Sequence, residues 1–134
     1  MTEVVCLAAS CREHSDSIPM LRRLCVSIAD QTQVVGVFVG ISGPLASVKR
    51  RADFGQLQEA FQGITFVNLG AEPKTQFQAY KSLVSNLTDA VVWVMFSDDD
   101  DIWHPTRVAM VQECRQDTAA LAAVAAAAAD AHTV

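Results

Sequence analysis

The feature that most constrains this chain is a change of hydrophobic period that repeats along its length. The runs Val4 to Ala9, Val34 to Ile41, Ile64 to Leu69 and Ala90 to Phe96 are too short for helices and read as buried strands. Between them the spacing turns helical. Met20, Leu21, Leu24, Cys25 and Ile28 share one face behind Pro19, which suits a first turn, and Asp30-Gln31-Thr32 ends that segment. Asp53 to Phe61 is the clearest helical part of the second spacer, closed by Gly63. In Lys74 to Leu87, the residues Phe77, Tyr80, Val84 and Leu87 line one helical face, and a further helix is expected from Thr106 to about Asp117. Alternating strands and helices predict an α/β fold, a mainly parallel sheet with right-handed crossovers and helices on both faces. Ala90 to Phe96, the most apolar run, is expected to be a central strand buried on both faces.

A chain of 134 residues that is 51% apolar can bury roughly two-thirds of its unfolded surface, enough for a core without disulfide or metal staples. The pattern suggests one domain over residues 1–117, followed by an alanine-rich helix or tail over 118–134, where Ala119 to Ala129 contains nine alanines with Leu121 and Val124. The pI near 5.0, with Lys49, Arg50 and Arg51 as the only basic cluster, argues against a nucleic-acid partner. Charges run through Met1 to Thr32, unlike a secretory signal, and Thr118 to Ala129 is too short and alanine-rich for a transmembrane segment. Cys6, Cys11, Cys25 and Cys114 form no CxxC pair; Cys6 and Cys25 sit in apolar runs and read as buried thiols, so a reducing, cytoplasmic setting is expected.

Acidity is local. Four of the fifteen acids are the consecutive Asp98, Asp99, Asp100 and Asp101, and without them the net charge of −5 would be −1. They follow the last apolar run, where open α/β sheets bind ligands outside the carboxyl ends of their strands. Adjacent carboxylates repel unless solvated, protonated or neutralised by a cation. In an extended segment Asp98 and Asp100 would point to one side and Asp99 and Asp101 to the other. A D-x-D pair of this kind suits a hard ion such as Mn²⁺ or Mg²⁺ with positions open to phosphate oxygens. Acids at the start of the helix entered at Pro105 would also favour the helix dipole, although one or two would satisfy it.

The run Phe96-Ser97-Asp98-Asp99-Asp100-Asp101-Ile102-Trp103-His104-Pro105 resembles the D-x-D-D-x-W-x-P signature of family 2 glycosyltransferases, enzymes of the GT-A fold. In order along the chain, Ser27-Ile28-Ala29-Asp30-Gln31-Thr32 looks like the end of that family's first helix, and Asn68-Leu69-Gly70 with Lys74 and Gln76 like its glycine loop and the helix start near the nucleotide. The resemblance covers about residues 3 to 112 and implies a Rossmann-like half that binds a nucleotide-diphosphate sugar donor. Asp98 would contact the ribose or help hold the diphosphate, and Asp100 would ligate the metal. Asp101 would reach the metal through water or cap the turn. Asp99 and Lys74 would border the donor phosphates, and the loop Ser10 to Glu13, including Arg12, would line the nucleotide pocket. Trp103 reads as a packing residue beneath the loop and His104 as a structural turn residue.

The chain departs from the family pattern at Val39-Gly40-Ile41-Ser42-Gly43, where an acidic pair for the base and ribose is common. The acceptor-binding half and catalytic base, which normally follow the D-x-D block, are absent from this stretch, so the resemblance implies sugar transfer to an acceptor hydroxyl of unknown kind only if that half is supplied. Two alternatives stand beside it: a truncated domain that binds nucleotide or metal without turnover, and an α/β interaction module with an acidic loop.

Overall fold

The computed structural model describes residues 4–11, 17–33, 35–44, 48–88 and 93–117. The strands are β1 (Val4–Cys11), β2 (Gly36–Ser42), β3 (Ile64–Asn68) and β4 (Trp93–Asp98), and the helices α1 (Ser17–Ala29), α2 (Val48–Ala60) and α3 (Gln76–Val84), with a further helix α4 over 107–117. The α/β expectation holds: the four strands form one all-parallel sheet in the order β3-β2-β1-β4.

That order fixes where the helices go. From β1 the chain steps outward through β2 to β3, then returns past β1 to β4. Right-handed crossovers place α1 and α2 on one face and, because the direction reverses, α3 on the other. The packing agrees. Leu21, Leu24 and Cys25 of α1, Phe54 and Leu57 of α2, and Val108 of α4 share a core with Val4, Cys6, Ala8, Val37 and Val39. Leu83 of α3 packs opposite, on Val5 and Leu7, with Phe38, Tyr80 and Val94 around it. A Thr75/Gln78 capping box starts α3, each side chain bonding the other residue's backbone N–H.

The position of the last apolar run is corrected. Among the described residues β4 pairs only with β1 and forms an edge, and the central, doubly covered strand is β1. Residues Val4 to Ala8 are at most 2% exposed, whereas Trp93 is 37% and Phe96 52% exposed. The apolar character of β4 serves other contacts: Met95 faces the α1 core, and Phe96 lies against the Tyr80 ring at 4.7 Å between centroids. The first part of the run, residues 89–92, and the alanine-rich stretch 118–134 lie outside the described residues. Among those described, no helix is long and apolar enough to cross a membrane. Helix α2 begins before the expected Asp53, at Val48, and β4 extends to Asp98, past the expected Phe96.

Candidate functional site

The connection order reverses at β1, which lies between β2 and β4, and the carboxyl ends of β1 and β4 border a crevice. Register brings the two strand ends together, with Ala9 opposite Asp98. A cleft of about 370 Å³ opens there, lined by Ser10 and Cys11 of β1, Ser42 of β2, Lys74 and Gln76 at the α3 start, and Asp98, Asp99 and Asp100.

Asp99 and Asp100 form a turn, so the strand alternation expected for the quartet does not continue. The turn is closed by the Asp101 N–H donating to the Asp98 carbonyl at 3.3 Å, while the Asp101 carboxylate accepts from the Asp98 N–H at 3.1 Å. This fold-back moves Asp101 to the side of Asp98 and Asp100: one carboxylate oxygen from each of the three lies within 4.8 Å of the others. Asp98 and Asp100 are exposed and Asp101 is half-buried. Three hard oxygen donors at this spacing match the ligand preference of Mg²⁺ or Mn²⁺.

The opposite wall supplies a polar group without a partner. Ser10 is 5% exposed, and its hydroxyl makes no hydrogen bond. A buried hydroxyl left unpaired is costly, and one that borders a cleft beside carboxylates is placed to pair with a ligand oxygen. Ser42, 2% exposed, accepts from the Lys74 N–H at 3.1 Å and so ties the α3 approach to the end of β2. Two glycines with positive φ, Gly43 at 95° and Gly70 at 102°, turn the chain out of β2 and β3, and the Gly43 N–H bonds the Gly70 carbonyl at 3.0 Å.

Gln76 donates from Nε2 to the Asp98 carboxylate and to the Tyr80 hydroxyl, which in turn donates to the Ser97 carbonyl at 2.8 Å. Burial, reinforced by the Asp98 charge, raises the Tyr80 pKa, so the phenol stays a donor. Beneath the turn, Trp103 is 3% exposed and its indole N–H donates to the Ser97 hydroxyl at 2.9 Å, the packing role expected of it. His104 pairs through Nδ1 with the Thr106 hydroxyl and accepts from the Thr106 N–H within the turn.

Of the residues singled out in the sequence, Ser10, Lys74, Asp98, Asp99 and Asp100 line one cleft and Asp101 completes the carboxylate cluster. Arg12 and Glu13 lie outside the described residues. Cys11, part of the Ser10 to Glu13 loop expected at the pocket, lines the cleft as well, whereas Ser42 and Tyr80 were not singled out, because they reach the site only through strand register and helix packing. A second cavity of about 260 Å³, between the ends of α1 and α2 and Trp103, is lined by apolar and amide side chains without a titratable group. Its chemistry is confined to packing and amide hydrogen bonds.

No protein-family model matches the chain, and no curated protein sequence matches it significantly. Among solved structures it is similar to the mannosyltransferase PcManGT from Pyrobaculum calidifontis in complex with GDP-Man and Mn²⁺, with a TM-score of 0.54 and 13% identity over 75% of this chain. The matched part is 28% of that protein's length. The likeness is one of fold: the α/β architecture is shared with part of that protein.

Proposed function

We propose that this chain is the donor-binding part of a GT-A glycosyltransferase of family 2 type, residues 1–117 forming the binding unit and 118–134 an appendage to it. The observation that carries the reading is the cluster of Asp98, Asp100 and Asp101 at a cleft whose opposite wall holds the unpaired, buried Ser10 hydroxyl, at the carboxyl ends of β1 and β4. The mannosyltransferase with GDP-Man and Mn²⁺ supports it, because the similar fold there belongs to a protein that binds a nucleotide sugar and a divalent ion.

Asp98, Asp100 and Asp101 would hold Mn²⁺ or Mg²⁺, with Asp99 and Lys74 bordering the diphosphate. Ser10 would donate its hydroxyl proton to a donor oxygen, and Arg12 and Glu13 would line the nucleotide side. An ion held there offsets the negative charge that develops on a nucleoside-diphosphate leaving group. The acceptor hydroxyl would be deprotonated by a base other than Asp98, Asp99, Asp100 and Asp101, which stand at or beside the ion cluster. The four free cysteines accord with a reducing, cytoplasmic setting.

Calorimetric titration of GDP and UDP, with and without Mn²⁺, tests the reading. Metal-dependent binding that disappears in the Asp98→Asn/Asp100→Asn variant is expected; nucleotide affinity indifferent to Mn²⁺ in the wild-type chain overturns it. A second reading is binding without turnover, because the carboxylates that line the described cleft all stand at or beside the ion cluster. Donor-hydrolysis assays separate the two, because turnover lost on Asp100→Ala belongs only to an enzyme.

A further inference from the structure

The aspartate turn is held from below by the far end of α1. Gln31, just beyond that helix, donates from Nε2 to the His104 carbonyl at 2.8 Å and to the Ser27 carbonyl of its own helix at 3.0 Å. Its Oε1 accepts from the Val108 N–H at 3.0 Å. That N–H is in the first turn of α4, where backbone donors have no intrahelical partner, so Gln31 caps the helix from a different segment. The neighbouring Thr32 N–H donates to the Pro105 carbonyl at 3.0 Å. One turn earlier in α1, the buried Ser27 hydroxyl accepts from the Trp103 N–H at 3.0 Å and donates to the Leu24 carbonyl at 2.7 Å.

These bonds fasten consecutive residues 103, 104 and 105 and the start of α4 to a single helix end. They continue upward into the carboxylates. Trp103 Nε1 bonds the Ser97 hydroxyl, whose one proton has the Asp98 carbonyl at 3.2 Å and the Asp101 carboxylate at 3.5 Å within reach. Arg107 closes the outer side: its guanidinium lies 4.8 Å from the Trp103 ring centre and donates to the Phe96 carbonyl at 3.2 Å. Both ends of the segment 98–107 are thus anchored, one by strand pairing and the other by the α1 terminus, with the carboxylates between them.

We infer that Gln31, acting with Ser27, is a positioning residue for the carboxylate cluster: it sets the height and tilt of the Asp100–Asp101 turn relative to Asp98 without touching a ligand. The inference rests on the metal-site reading above. Groups hydrogen-bonded directly to a metal's ligands typically alter metal affinity about 10- to 100-fold when removed, and Gln31, which acts one step further out through the 103–105 backbone, is placed at the low end of that range. Gln31 is suited to this because one planar amide both donates and accepts, so it joins the His104 carbonyl to the Val108 N–H.

The test uses Gln31→Met, which keeps the side-chain length and loses all three side-chain hydrogen bonds, and Gln31→Glu, which keeps the acceptor for Val108 and loses the donors to His104 and Ser27. Mn²⁺ binding is followed by the loss of the free-ion electron paramagnetic resonance signal, at a temperature where circular dichroism shows every variant folded. Gln31→Met is expected to weaken Mn²⁺ by about tenfold or more and Gln31→Glu by less. Affinities within twofold of wild type in both folded variants overturn the inference, since general destabilisation would lower the melting temperature without moving affinity measured on folded protein. The second readout is acrylamide quenching in a Trp93→Phe background, where Trp103 is the only tryptophan left of two. Gln31→Met should raise quenching of Trp103 at least twofold, and unchanged quenching also overturns the inference. Wild-type protein that binds no Mn²⁺ while Gln31→Met still unpacks Trp103 would instead reject the metal-site reading and retain the anchor.

Discussion

Strands β1 and β4 are neighbours in register, yet they contribute opposite things to the same cleft. β1 is buried on both faces and ends in an uncharged wall whose Ser10 hydroxyl is unpaired. β4 lies at the edge, with half its residues exposed, and ends in carboxylates held by side chains from elsewhere. β1 is held by packing on both faces and by strand pairing on both sides. The end of β4 is fixed by hydrogen bonds from Tyr80, Trp103 and the segment after α1, because an edge strand has too few apolar contacts to fix its own terminus. The comparison teaches that stability and site geometry are drawn from different residues and can be disturbed separately.

Leu7→Ala should break the β1 side most severely. Leu7 is fully buried, and its truncation is expected to destabilise the fold by about 3 kcal/mol, read as a lowered urea midpoint, with Mn²⁺ affinity of the folded fraction unchanged. Asp98→Asn/Asp100→Asn is the converse on β4. It should lower Mn²⁺ affinity about 100-fold, or about 2.7 kcal/mol, while leaving the melting temperature equal or higher because like charges are removed.

Alkaline pH acts on the buried thiols of the core. Burial, partly opposed by Arg107 and Arg22 respectively, pushes the Cys6 and Cys25 thiols from the ordinary 9.0 up to about 12. The folded state therefore keeps protons that the unfolded chain releases. Stability should be complete below pH 9 and fall progressively from pH 9 toward 12, measured as a declining melting temperature, and Cys6→Ala/Cys25→Ala should flatten that decline. The smallest contrast compares two serines. Ser97→Ala leaves the Trp103 indole N–H unpaired and is expected to cost about 1–2 kcal/mol, whereas Ser10→Ala removes an unpaired hydroxyl and should change stability by less than about 0.5 kcal/mol. If Ser10→Ala nevertheless weakens Mn²⁺-dependent nucleotide binding, its hydroxyl serves the ligand.

Periodicity was sufficient to reveal the alternating elements, since apolar spacing is a local property: β1 begins at Val4 as expected, and α1 has Pro19 in its first turn. The aspartates were equally legible, because four adjacent acids after an apolar run leave few physical explanations. Hydrophobicity could not rank the strands across the sheet. Ala90 to Phe96 is more apolar than Val4 to Ala9, yet the strand formed from it lies at the edge, because strand order follows from crossover handedness and chain direction. The turn at Asp99 and Asp100 was also hidden. It depends on the Asp98–Asp101 backbone bond, and the anchoring by Gln31 joins residues 73 positions apart, beyond any local pattern. Gln31 stood out only as part of the polar end of a helix.

Pairing of β1 with β4 has a consequence for the order of events during synthesis. The wall bearing Ser10 emerges first, and its carboxylate counterpart, opposite it at Asp98, follows about ninety residues later. Until then β1 has a vacant, strongly apolar side, and β2 and β3 can assemble only on the other. The cleft comes into existence at the last strand-pairing step, after the longest loop has been closed, which makes that step the slow one. A nascent chain halted before Trp93 would hold a three-stranded sheet with a sticky flank and no place for an ion, a state whose natural fate is capture by a chaperone or by another such chain.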